Sequence, residues 1–239
     1  QEQFATQLIN EFYQIFKLEN TGCWLNTYEI ISTGNDSGLV EMVNDSLSLD
    51  QLKQKINNNS LHDFYLYYFG GGNTNSLIYK KAMKNFIASL AGYSLVCYFL
   101  QIKDRHNGNI LIDSQGHLIH IDFGFILSNA PGKGLKFEKA PFKITDEMME
   151  LLGGINSENF KKYKKLLIRG YFAIYNNFEK IQKLAEFMFN GQGKYFPCFE
   201  EKENTLTQLK SRMSPKENMS KKQKINYIID VLSRSIDNW

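Results

Sequence analysis

Asp104, Asn109 and Asp122 are the residues of this sequence whose types and spacing point most directly to chemistry. All three offer oxygen atoms, and magnesium prefers oxygen ligands. Transfer of a phosphoryl group needs a divalent metal near the phosphates, and a group that orients or deprotonates the attacking hydroxyl. Asp104 and Asn109 lie on one short segment, 103–109. The runs 110–113 (ILID) and 117–121 (HLIHI), joined by Ser114-Gln115-Gly116, read as a small hairpin. Such a hairpin returns Asp122, just past its second strand, to the loop carrying Asp104 and Asn109. Phe123-Gly124 follows at once.

The order of these parts narrows the chemistry. Protein kinases carry His-Arg-Asp, four further residues and Asn, with Asp-Phe-Gly downstream. Here the triplet is permuted to Asp104-Arg105-His106, while the step of five from Asp104 to Asn109 is kept. Asp-Arg-His-x-x-Asn followed by Asp-Phe-Gly resembles the phosphoinositide 3- and 4-kinase superfamily. The segments LAGYSLVCYFLQIKDRHNGNILID, HIDFGFILS and PFKIT are similar to the phosphatidylinositol 4-kinases, type III beta branch. Gln1-Glu2, Asp36-Ser37-Gly38 and Val40-Glu41-Met42-Val43 match further pieces of that pattern, with Met42 where the family often has proline. The similarity covers nearly the whole chain.

The resemblance implies an α+β, two-lobed protein-kinase-like fold. Residues 1–43 would form the lower part of an N-lobe (hairpin plus helix) and the hinge. Residues 44–239 would form a mostly helical C-lobe, with the catalytic loop at 103–109 and the activation loop at 122–145. ATP is the implied phosphate donor, with Mg2+ or alternatively Mn2+. Asp122 then resembles the main metal ligand and Asn109 the second. Asp104 and His106 resemble the pair that positions and deprotonates the inositol hydroxyl. A neutral imidazole suits the role of base, whereas an ordinary aspartate is a weak one; which of the two serves stays open. Val40, Glu41, Met42 and Val43 resemble the hinge that holds adenine, and Tyr28, Leu111 and Ile121 the walls of its pocket. Arg105 is expected to brace the loop through an ion pair.

The segment 125–144 lacks periodicity and holds Pro131, Gly132, Gly134 and Pro141. It reads as a long loop, and long loops inside compact domains are usually functional. By resemblance it selects the lipid head group. Its lysines, Lys133, Lys136, Lys139 and Lys143, are dispersed around Glu138. Relatives acting on phosphorylated inositols use dense basic clusters there, since each phosphate wants cationic partners. The dispersed pattern favours plain phosphatidylinositol in a membrane surface, unless these lysines are simply a solvated face.

The resemblance thus implies transfer to the 4-hydroxyl of phosphatidylinositol by a cytoplasmic protein peripheral on membranes, Golgi-type, with small GTPase or adaptor partners. The choice of 4- over 3-hydroxyl rests on the resemblance alone, so a phosphoinositide 3-kinase is the nearest rival. A phosphatidylinositol-kinase-related protein kinase is a second, but those relatives tend to have proline-serine where this chain has Asn107-Gly108. A catalytically dead scaffold is a third, against which the retained Asp104, Asn109 and Asp122 argue. The phosphate loop and the lysine that grips ATP would lie upstream of Gln1, and Glu2 is a candidate partner for that lysine. A fragment without them is expected to have little activity.

The elements that must position these groups are legible in outline. Phe4, Leu8, Phe12, Ile15 and Phe16 recur at helical spacing over 1–19. Residues 28–32 and 39–43 read as strands about a TGNDSG turn. Ser48 opens a capping box with Gln51, so a short helix follows, then another over about 60–69. Past the GGGNTNS break, 76–102 is apolar nearly all round. Its uncharged run 85–102 is shorter than the ~20 residues of a membrane span, which favours a buried core helix. Helical patterns then cover about 145–152, 157–176, 177–189, 204–213 and 220–238. The chain opens inside a helix and ends without a capping signal, as expected of a piece of a longer protein.

Composition sets the remaining bounds. Hydrophobic residues make up 43% of 239, enough for a large domain or two small lobes. The net charge of +3 is too mild to argue for nucleic acid. Cys23, Cys97 and Cys198 are scattered and odd in number, hence read as reduced thiols. His117 and His120 lack partners at a zinc spacing and are read as structural.

Overall fold

The computed structural model describes residues 1–34, 37–56, 60–131, 140–191, 193–213 and 219–236. Helix α1 (Glu2–Leu18) buries Phe4, Leu8, Phe12, Ile15 and Phe16, the stripe its spacing lays out. That stripe joins the main hydrophobic core, so α1 is packed onto the rest of the described chain.

Strands β1 (Ile30–Ser32) and β2 (Gly38–Val40) pair antiparallel, with Ile31 opposite Leu39. Both are shorter than expected. One further bond, from Glu41 N to Glu29 O at 2.8 Å, continues the pairing before the chain turns away.

Strand β3 (Ser46–Ser48) is an element that periodicity does not announce. It pairs antiparallel with β4 (Ile110–Asp113), which pairs antiparallel with β5 (Leu118–His120). The expected hairpin is therefore the centre and one edge of a three-stranded sheet. Gly116 closes its turn at φ +83, and a Cβ there would meet Ala82 Cβ at 2.9 Å, so only glycine fits.

Ser48 also caps α2 (Leu49–Lys55). Its hydroxyl accepts from Gln51 N at 3.2 Å, and the Gln51 side chain accepts from Ser48 N at 3.0 Å. This is the reciprocal cap read from sequence. Helix α3 (Leu61–Phe64) widens into a π-helical turn, Tyr65–Phe69. Tyr65 and Phe69 enter the core while Tyr67 and Tyr68 stay exposed. The Tyr65 hydroxyl donates to Gly116 O at 2.9 Å, tying this turn to the sheet.

Helix α4 (Leu77–Leu100) is long and apolar enough to cross a membrane, but 83% of its most apolar window is buried inside the protein. It is the core helix the sequence suggests. The remaining helices are α5 (Asp146–Leu152), α6 (Glu158–Gly191), α7 (Glu203–Met213) and α8 (Lys221–Ile236). Helix α6 runs unbroken where two helices were expected. Asn177 does not stop it, because its amide donates to Ala173 O within the helix and to Glu19 Oε1, each at 2.9 Å. Gly170 lets α6 approach α4 closely: a Cβ there would lie 2.4 Å from Leu95 Cδ1.

The result is an α+β fold with two small antiparallel sheets. All three cysteines are buried thiols, and burial pushes those of Cys23 and Cys198 up to about 12.

Candidate active site

The catalytic segment and the Asp-Phe-Gly segment are the open end of the β4–β5 hairpin. Pairing does not stop at Ile110 and His120. Ile121 N donates to Asn109 O at 3.1 Å, Lys103 N to Phe125 O at 3.0 Å, and Leu127 N to Leu100 O at 2.7 Å. These stitches run two otherwise irregular segments side by side. Asp104 and Asn109 are on one, Asp122 on the other.

Arg105 fastens the same pair of segments from within. It is only 2% exposed. Its Nε donates to Lys103 O at 2.9 Å, Nη1 to Ile121 O at 2.8 Å, and Nη2 to Asp122 O. The brace expected of Arg105 is thus made through backbone carbonyls, which the planar guanidinium can reach in several directions at once. Its Cζ also lies 6.0 Å from the centre of the Phe123 ring.

Asp104 and Asp122 both have φ +61, in the left-handed region. For a residue with a Cβ this costs about 1–2 kcal/mol. Such strain persists only where the surroundings enforce it, and it clusters at functional sites. The stitches and Arg105 are that enforcement.

Asn109 is buried, at the end of the 3-10 turn Asn107–Asn109. Its Nδ2 donates to Asp104 O at 3.1 Å, which turns Oδ1 toward other uses. Asp122 is exposed, with Oδ1 accepting from Gly124 N at 3.1 Å. His106 is exposed, and its Nδ1 accepts from Gly108 N at 3.1 Å. With Nδ1 an acceptor, the proton of the neutral ring sits on Nε2.

A second carboxylate, that of Glu2, lies close enough to Asp122 to feel its charge. The Glu2 carboxyl is raised, first by burial and then by the Asp122 charge. Tyr28 stacks on Phe123 with centroids 6.2 Å apart. Its hydroxyl is raised by burial and then by Glu2. A cation placed here would relieve the repulsion between Glu2 and Asp122. Two protein oxygen donors, from Asp122 and Asn109, suit Mg2+, which keeps several waters and takes the rest of its shell from phosphates. Among the described residues no group of three or more His, Cys, Asp or Glu is placed to hold a metal.

The other expected residues divide. Tyr28 joins the Asp122 end. Ile121 bonds to Asn109 and Arg105 through its backbone, and Leu111 is half-buried on β4. Val40 and Met42 are exposed, and Val43 is half-buried. Glu41 Oε2 accepts from Glu29 N at 2.8 Å, which pins the expected hinge to the β1–β2 hairpin. Val40 faces a cavity of about 750 Å³ shared with Glu2 and Ile30; Leu111 and Ile121 do not line it.

Lys133, Lys136 and Lys139 lie outside the described residues. Lys143 is described, and its Nζ donates to Arg105 O at 2.7 Å and Asn107 Oδ1 at 3.4 Å. It supports the catalytic segment, a role that its place in a basic loop did not reveal. His117 bonds Asp113 at 2.8 Å and stacks on Trp24; His120 stacks on Tyr93. Both are structural, as expected.

The family described as phosphatidylinositol 3- and 4-kinase matches residues 1–192. Phosphatidylinositol 4-kinase beta 1 of Arabidopsis thaliana is 41% identical over 244 residues, covering 100% of this chain and 21% of the relative. Phosphatidylinositol 4-kinase of Dictyostelium discoideum is 41% identical over 241 residues, with 100% and 20% covered. Phosphatidylinositol 4-kinase beta of Rattus norvegicus is 41% identical over 212 residues, with 89% and 25% covered. The chain thus spans about a fifth to a quarter of the length of these relatives. With the family match running through both the catalytic and the Asp-Phe-Gly segments, this chain belongs to the phosphatidylinositol 3- and 4-kinase family.

Proposed function

We propose that the protein carrying this chain is a lipid kinase that transfers the γ-phosphate of ATP to the 4-hydroxyl of phosphatidylinositol. The observation that carries this reading is the stitching of Asp104, Asn109 and Asp122 onto adjoining backbone segments, two of them in strained left-handed conformation. Support for the acceptor comes from the relatives, which are named phosphatidylinositol 4-kinases. Because that acceptor is a lipid, the protein would work at a membrane surface.

In this reading Asp122 and the Asn109 amide oxygen hold Mg2+. That ion, when bound, neutralises charge on the ATP phosphates. Asp104 orients the inositol hydroxyl and accepts its proton. His106 acts through Nε2–H as a hydrogen-bond donor, because its Nδ1 is already engaged by Gly108. Glu2 and Tyr28 line the Asp122 end, and Tyr28, Leu111 and Ile121 flank the nucleotide, with backbone of 40–43 toward adenine. Lys143 holds the carbonyl of Arg105, keeping the loop in place.

The test supplies the full-length protein with magnesium-ATP and phosphatidylinositol vesicles and separates product isomers by chromatography. The 4-phosphate is expected. The 3-phosphate isomer would move the assignment to the sister branch, and phosphate on protein alone would overturn it.

A further inference from the structure

A second feature lies at the far end of α4 from the catalytic segment. Between the N-terminal half of α4 and the first turns of α6 runs a groove of about 680 Å³. Its floor is apolar: Tyr79, Met83 and Ile87 are buried, and Leu166 is half-buried. Its rim is cationic. Lys80 and Lys84 are one helical turn apart on α4, and Lys162, Lys165 and Arg169 share one face of α6. All five are exposed.

Among the described residues that line the groove there is no Asp or Glu. Among the described residues, none of these five cations is within ion-pair distance of a carboxylate. Glu158, whose carboxyl feels Lys162, bonds Lys161 instead at 2.7 Å. Five like charges held around one cleft repel one another, and an anionic occupant relieves that repulsion.

We propose that this groove docks an acidic amphipathic helix of a partner protein. The apolar stripe of such a helix meets Met83, Ile87 and Leu166, and its flanking carboxylates meet the lysines on either wall. A bilayer fits less well. The apolar side chains lining the groove are recessed below the rim, where a flat surface does not reach, and the exposed Leu77 and Ile78 on the first turn of α4 stand outside that lining. A small anion fits less well too, because the cations stand on the rim instead of converging on a buried point. Lys80 is about 30 Å along the helix axis from the end of α4, so docking leaves the catalytic cleft open.

The test uses the full-length protein and fluorescence anisotropy. One probe is a labelled helical peptide of about 18 residues with leucine at i, i+3, i+4 and i+7 and glutamate elsewhere. Its twin carries lysine in place of glutamate. The acidic peptide is expected to bind at least about tenfold more tightly than its twin, and more weakly as salt rises. The double variant Lys84→Glu, Lys165→Glu is expected to weaken it at least about tenfold while ATP turnover stays unchanged. Equal binding of the twins, or unaltered binding by the double variant, overturns the proposal. So does binding of anionic vesicles that the double variant abolishes while the peptide shows none, which would assign the patch to a membrane.

Discussion

The side-chain amide of Asn109 donates to the backbone carbonyl of Asp104 at 3.1 Å. The bond fixes which end of Asn109 is used for support and which remains for a cation, and it holds the strained peptide of Asp104. Asn109→Ala is therefore expected to lower kcat about 10²-fold, the scale of losing one preorganised polar group. It should also raise the Mg2+ concentration needed for half-maximal rate. A rate-versus-magnesium titration checks both; an unchanged magnesium requirement would confine Asn109 to loop support.

Asp104 and His106 are separable by experiment. With Nδ1 of His106 engaged by Gly108, the ring is placed to donate, so Asp104→Asn should cost about 10²–10⁴ in kcat, the range for a general base. His106→Gln, which keeps an N–H donor, should cost less than His106→Ala. The acid limb of the pH–rate profile should survive in His106→Gln. Its disappearance would make the imidazole the base.

Arg105 is a stability residue as much as a catalytic support. Its guanidinium serves the carbonyls of Lys103, Ile121 and Asp122 in a buried position. Arg105→Met leaves those acceptors without it, and unpaired buried groups cost about 1–3 kcal/mol each. We expect a loss of about 3 kcal/mol in denaturant unfolding, only partly recovered by Arg105→Lys, whose single ammonium lacks the fork.

His120 gives the fold a pH dependence. Burial holds its pKa well below the usual histidine value, with the charges of Arg105 and Lys143 acting the same way. The unfolded chain therefore binds a proton near pH 6.5 that the folded chain refuses. Stability is full above that pH and falls as acidity increases below it, by at most about 1.4 kcal/mol per pH unit. His120→Gln should flatten the slope of unfolding free energy between pH 6.5 and 5. A slope unchanged by the substitution would place the effect elsewhere.

What the sequence made legible follows from how local each signal is. The Ser48–Gln51 cap and the apolar helix ending near Leu100 are set by residues within a few positions, and both are present where expected. The hairpin carrying Asp122 back to Asn109 is also local. Strand β3 was hidden because Ser46-Leu47-Ser48 is too short a run to establish a period of two; it exists through its pairing with β4, more than sixty residues away. The break expected near 176 was absent because Asn177 finds partners in Ala173 and Glu19. Arg105 and Lys143 act on backbone carbonyls, and a carbonyl leaves no mark in a residue pattern. The left-handed conformations of Asp104 and Asp122 were equally invisible, since nothing in an aspartate announces its φ.

The most direct test of the central claim compares the full-length protein with its Asp122→Asn variant. Nucleotide binding is measured first, then transfer of labelled γ-phosphate from ATP to phosphatidylinositol vesicles. The structure places Asp122 at the junction of both stitched segments, so the variant should still fold and bind nucleotide while transfer falls below about a thousandth of the wild-type rate. Transfer at a wild-type rate by Asp122→Asn would contradict the account.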